Sequence, residues 1–140
     1  MHKNIMLILT LMLSGRAMTL AYIGRVGGTL PGDPPVAWLM PLIGDAFIGI
    51  SALWVAYLIT KKTGLWVWAT IIAWNVLGIW DAMSAYIIHL TNPWPSFFML
   101  ATFGSSMFFA ASLMHLVVLI LACQKQALNK LLSSKKNQHS

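Results

Sequence analysis

The sequence predicts an all-α membrane protein, a bundle of four transmembrane helices, and three observations carry that prediction. Of the 140 residues 59% are hydrophobic and 9% charged, against roughly 25% charged in a soluble domain, and the mean hydropathy is +0.76. The apolar residues fall into four long runs separated by glycine, proline and lysine breaks. The cations collect at one set of run ends. A helix crossing the hydrocarbon takes about 20 apolar residues, so four spans leave only two short tails and three loops, and no room for an extramembrane catalytic domain.

The first span runs over about 4–23. It follows His2 and Lys3 and resembles a secretory signal, but its apolar run resumes after Arg16 and no A-x-A site follows, so a retained helix is expected rather than a cleaved one. The stretch 27–35, Gly-Gly-Thr-Leu-Pro-Gly-Asp-Pro-Pro, cannot sustain a helix. The second span covers 36–60 and the third 65–90, joined by a tight turn at 61–64. Asn92, Pro93, Trp94 and Pro95 make the next break, and the fourth span covers 96–123. Residues 1–123 therefore form the transmembrane domain, and 124–140 a basic cytoplasmic tail. In that tail Ala127, Leu128, Leu131 and Leu132 are at helical spacing; a short amphipathic helix on the inner leaflet and a frayed solvated tail both fit.

Lys3, Lys61, Lys62, Lys125, Lys130, Lys135 and Lys136 lie on one side of the predicted membrane and Arg25 on the other. By the positive-inside rule both termini are cytoplasmic. Trp38, Trp66, Trp68 and Trp94 fall near span ends, where indole rings favour the interface. The net charge of +6 belongs to this orientation, and with no basic patch interleaved with aromatics nucleic acid is not an expected partner. The expected partners are the lipid bilayer and, with it, a second membrane protein or a further copy of this chain. Cys123 has no partner for a disulfide.

Three ionisable residues lie deep in the spans. Asp45 is ten residues from Pro35, Asp81 ten from Thr91, and Arg16 eight from Gly24. At the helical rise per residue all three sit roughly 12–15 Å below the outer surface. An unpaired charge there costs at least about 2.5–3.5 kcal/mol, so the three are expected to turn inward and pair. Their charges sum to −1. Either one aspartate holds a proton or a further cation enters; alternatively the trio is a structural clamp with one aspartate permanently neutral.

The neighbours suit an interior site. Pro41 and Gly49 flank Asp45 at four residues either side, and Gly44 precedes it. A proline within the span frees a carbonyl in the preceding turn. Gly78, Ser84 and Ala85 surround Asp81 at i−3, i+3 and i+4, a face of small residues that also fits plain helix packing. Asn75 is six residues before Asp81, about 240° round the helix, and is expected to bond another helix rather than join the layer. On the fourth span Gly104, Ala111 and His115 share a stripe, with Ser105 and Ser112 beside it; His115 is expected in the inner half as a neutral core residue. His89 and His115 differ in depth by roughly 20 Å or more, too far to ligate one haem iron. No cofactor and no metal-ligand set is expected, and no nucleophile–base pair points to an enzyme.

Pro41-Leu42-Ile43-Gly44-Asp45, followed about 29 residues later by Trp74-Asn75-Val76-Leu77-Gly78-Ile79-Trp80-Asp81, resembles a pattern in small, uncharacterised bacterial four-helix integral membrane proteins. Those carry a P-x-G-x-G-D-like segment on the second span and W-N-x-x-G-x-x-D on the third. The resemblance covers residues 38–85; this chain lacks an extra glycine the family often has. It implies a bacterial inner membrane and no mechanism. Two functions are expected from the residues: binding or transport of a proton, cation or small solute at Arg16, Asp45 and Asp81, or an accessory subunit in which that layer only holds the fold. In the second case faces with Trp54, Met107, Phe108 and Phe109 would meet the partner.

Overall fold

The structure is a computed structural model, and it describes residues 2–94, 104–124 and 129, the side chains of 104–108 excepted. Every regular element among the described residues is helical: α1 (His2–Leu13), a 3₁₀ segment (Ser14–Thr19), α2 (Leu20–Ile23), a 3₁₀ turn (Val36–Trp38), α3 (Leu39–Lys61), α4 (Leu65–Thr91) and α5 (Gly104–Cys123). Three continuous rods, His2–Ile23, Val36–Lys61 and Leu65–Thr91, are long and apolar enough to cross a membrane. α5 is a fourth apolar helix of 20 residues. The expected start of the fourth span at 96 and the expected tail helix lie outside the described residues.

The first rod differs from the uninterrupted α-helix expected. It tightens to 3₁₀ over Ser14–Thr19, the six residues that carry Arg16. The local chemistry accounts for it. Ser14 Oγ donates to the Leu11 carbonyl at 2.6 Å and Thr19 Oγ1 to the Arg16 carbonyl at 2.8 Å. Hydroxyls bonding back to the preceding turn compete with the α-helical ladder, and Gly15 between them adds the lowest helix propensity short of proline.

Pro41 also sits differently from expectation. The α-helical ladder of α3 begins only at Leu39, so Pro41 occupies its first turn. An N–H missing there has no intrahelical partner to lose, and the proline starts the helix instead of breaking it.

The helices alternate in direction and close into a ring, α1 against α3 and α5, α3 against α4, α4 against α5. One end carries Lys3, Lys61 and Lys62 and is the lysine end; the other carries the 24–35 and 92–94 connections and is the loop end. Lys3 Nζ donates to the Thr60 carbonyl at 3.1 Å and Trp68 Nε1 to the Ala122 carbonyl at 3.3 Å. Each satisfies a carbonyl in the last turn of α3 or α5 that has no helical partner. The turn between α3 and α4 needs Gly64, whose φ of 125° no side chain favours.

In lipid, helices attract through close packing more than through hydrophobicity. Ala46, Gly49, Ala52 and Ala56 accordingly make a buried small-residue stripe along α3. Outward faces are apolar: Ile8, Met12, Ile50, Leu53, Ile87 and Leu113 are each more than half exposed. Water is a poor solvent for that surface and hydrocarbon a good one.

At the loop end the tryptophans turn inward. Trp38 and Trp94 are 1% and 2% exposed instead of lying at the interface as expected. Their rings meet edge-to-face at 5.5 Å, and Trp94 meets Tyr22 at 5.2 Å. Inward burial is tolerated because each indole N–H finds a carbonyl, Trp38 that of Asn92 at 2.8 Å and Trp94 that of Gly32 at 3.0 Å. Trp66 remains half exposed at the lysine end.

Candidate functional site

Arg16 leaves the 3₁₀ segment toward the centre of the ring. Its Nε donates to Asp45 Oδ1 at 2.5 Å and its Nη2 to Asp81 Oδ2 at 2.5 Å. Nη2 also pairs with Asp45 Oδ1. The structure thus brings together a cation from the first rod and carboxylates from α3 and α4. Arg16, Asp45 and Asp81 keep side-chain exposures of 11%, 19% and 13%.

A fourth helix joins through His115. Arg16 Nη1 stands 3.2 Å from His115 Nε2. A guanidinium only donates, so Nε2 must be an acceptor and the ring proton must sit on Nδ1. Nδ1 faces Asn75 Oδ1 at 3.0 Å, and Asn75 Nδ2 donates to the Ile71 carbonyl at 2.8 Å. The hydrogen bonds therefore run in one direction, from Arg16 through His115 and Asn75 to a backbone carbonyl, and the imidazole is neutral. Trp74 lies edge-on to the ring at 5.0 Å. Asn75 does bond another helix, α5, and through His115 stands two hydrogen bonds from Arg16.

Three glycines make the space. A Cβ on Gly44 would collide with the Asp81 carboxylate, one on Gly49 with the backbone of Arg16 and Ala17, and one on Gly78 with the His115 imidazole. These glycines therefore receive members of the cluster itself. Ser84 does not join them: its hydroxyl donates to the carbonyl of Asp81, not to the carboxylate, at 2.8 Å. Pro41 is buried in the first turn of α3. Thr19, not singled out by sequence, ties the 3₁₀ segment to α3 through the Leu42 carbonyl at 3.1 Å.

Comparison of the chain with family models, curated proteins and solved structures finds no match. The geometry alone carries the functional reading. Every guanidinium nitrogen is engaged, yet Asp45 Oδ2 and Asp81 Oδ1 take no hydrogen bond from any described residue. Among the described residues one cation faces two acids, and each acid has an oxygen to spare.

Proposed function

We propose that this chain is a small integral membrane protein of four spans that reversibly binds one proton at the Arg16–Asp45–Asp81 cluster. The carrying observation is that a single guanidinium bridges both carboxylates and that one oxygen on each takes no hydrogen bond from any described residue. With both aspartates ionised the trio sums to −1, and a buried net charge is costly. One proton on either spare oxygen neutralises it. A metal cation is the weaker candidate, because a guanidinium already within 2.5 Å of both acids repels a second cation, whereas a proton needs a single oxygen. The orientation that goes with this reading has both termini in the cytoplasm of a bacterial inner membrane. It rests on Lys3, Lys61 and Lys62 sharing one end of the bundle, opposite Arg25, and on the family resemblance of residues 38–85.

The test is proton uptake in weakly buffered detergent solution, comparing the full chain with Asp45→Asn and Asp81→Asn. The expected result is that either variant, folded by circular dichroism, takes up one proton fewer than the parent. Equal uptake by all three would leave the layer a structural clamp, as in an accessory subunit of a larger complex.

A further inference from the structure

Among the described residues no chain of hydrogen bonds leads from the cluster to the lysine end, and we infer that the site exchanges its proton with the loop end alone, so that the chain binds protons without conducting them. This rests on the proton-binding reading above and deepens it. A conducting path would have to leave Arg16, Asp45 and Asp81 toward the lysine end, and among the described residues the one bonded exit is His115. That exit fails at its first step. A relay must deliver a proton to Nε2, and the group facing Nε2 at 3.2 Å is the guanidinium of Arg16, which does not give up protons in proteins.

It fails again beyond the ring. Nδ1 faces the carboxamide oxygen of Asn75, whose own N–H ends on the Ile71 carbonyl. Amide groups are neither acids nor bases of useful strength, so the chain of bonds stops there. The other polar side chains at that depth are spent or isolated. Ser51 donates to the Phe47 carbonyl at 2.6 Å and accepts from Trp74 Nε1 at 2.8 Å. Thr10 Oγ1 is buried with no hydrogen-bond partner among the described residues.

Below this tier the four helices meet in an apolar plug. Met6, Val55, Ile59, Val67, Ile71 and Val118, drawn from all four, are each at most 1% exposed. They belong to one continuous cluster, and the carbonyls at its foot are bonded by Lys3 and Trp68. Among the described residues the groups that face the aspartates are therefore Arg16 from the 3₁₀ segment and, behind it, His115 from α5; Tyr57, nearer the lysine end on α3, is half exposed and lies under the Lys62 ammonium, outside the buried plug.

The full chain in phosphatidylcholine vesicles tests this. Cys123 is exposed at the lysine end and is the chain's only cysteine, so an impermeant maleimide scores which end faces outward. The readouts are the infrared carbonyl stretch of protonated carboxyl after a pH step outside, assigned by Asp45→Asn and Asp81→Asn, and proton flux reported by an entrapped pH dye under a potassium diffusion potential. Expected is a carboxyl response whose amplitude follows the fraction of chains with the loop end outward, and flux equal to that of empty vesicles. A response that follows the fraction with the lysine end outward, or flux above empty vesicles, overturns the inference while leaving proton binding intact. No response to any step by folded protein overturns both.

Discussion

Arg16 holds the molecule's polar centre together through the shape of its side chain. Nε, Nη1 and Nη2 reach three different helices, which a lysine's single ammonium cannot do. Removing the guanidinium leaves two buried carboxylates unpaired, so Arg16→Met should cost roughly 3–5 kcal/mol, read as thermal unfolding in detergent. Adding Asp45→Asn and Asp81→Asn to that variant should recover most of the loss; failure to recover would mean the pairs matter less than packing around them. That these three residues share a level was legible from counting residues inward from each break, because helical rise is constant. His115 was not legible as their neighbour. Counting residues sets it in the inner half, and the missing side chain of Gly78 is what lets the ring stand against Asn75 and Arg16. A histidine facing an N-x-x-G stretch on another helix is the signal that sequence carried. Gly78→Ala drives a methyl into that ring and should therefore lower stability more than the isosteric loss at Asn75→Leu, in the same melt.

The 3₁₀ segment is what places Arg16. Periodicity detects apolar runs and is nearly blind to a change of pitch inside one, so Ser14–Thr19 read as ordinary helix although Ser14, Gly15 and Thr19 carried the reason for the change. The two glycines nearest this element separate its packing from its conformation. A Cβ at Gly15 meets nothing within 4 Å and the backbone there has negative φ, so Gly15→Ala should stabilise by about 0.4–1 kcal/mol. A Cβ at Gly49 strikes the backbone of Arg16 and Ala17, which cannot yield as a flexible side chain does. Gly49→Ala should destabilise by roughly 1–3 kcal/mol and weaken the pairing of Arg16. Parallel thermal melts check both, and a neutral Gly49→Ala would place the close approach of α3 and the first rod in error. Pro41 teaches the same lesson from the other side: its meaning depended on whether the helix began before it or at it.

The molecule as a whole is two unlike halves stacked along the bundle axis. Toward the loop end lie the ionic cluster and an aromatic cap of Tyr22, Trp38 and Trp94; toward the lysine end lies a dry core of aliphatic side chains. The helical class and the apolar rods were legible in composition and breaks, since both are summed over many residues. The inward turn of Trp38 and Trp94 was not, because it depends on carbonyls of Asn92 and Gly32 supplied by distant connections. The proposed orientation predicts that Cys123 in intact cells resists an impermeant maleimide and reacts once the membrane is inverted; the reverse pattern would turn the bundle over. The sequence holds only three acids, Asp33, Asp45 and Asp81, and Asp33 is bonded to Arg25 in the 24–35 connection. Infrared titration of the carboxyl stretch in folded, detergent-solubilised protein therefore observes the cluster almost alone. A band that comes and goes reversibly with pH, and is lost in Asp45→Asn with Asp81→Asn, is the expected outcome. A carboxyl band that never changes across the range in which the protein stays folded would show a fixed neutral acid and contradict the binding of a proton.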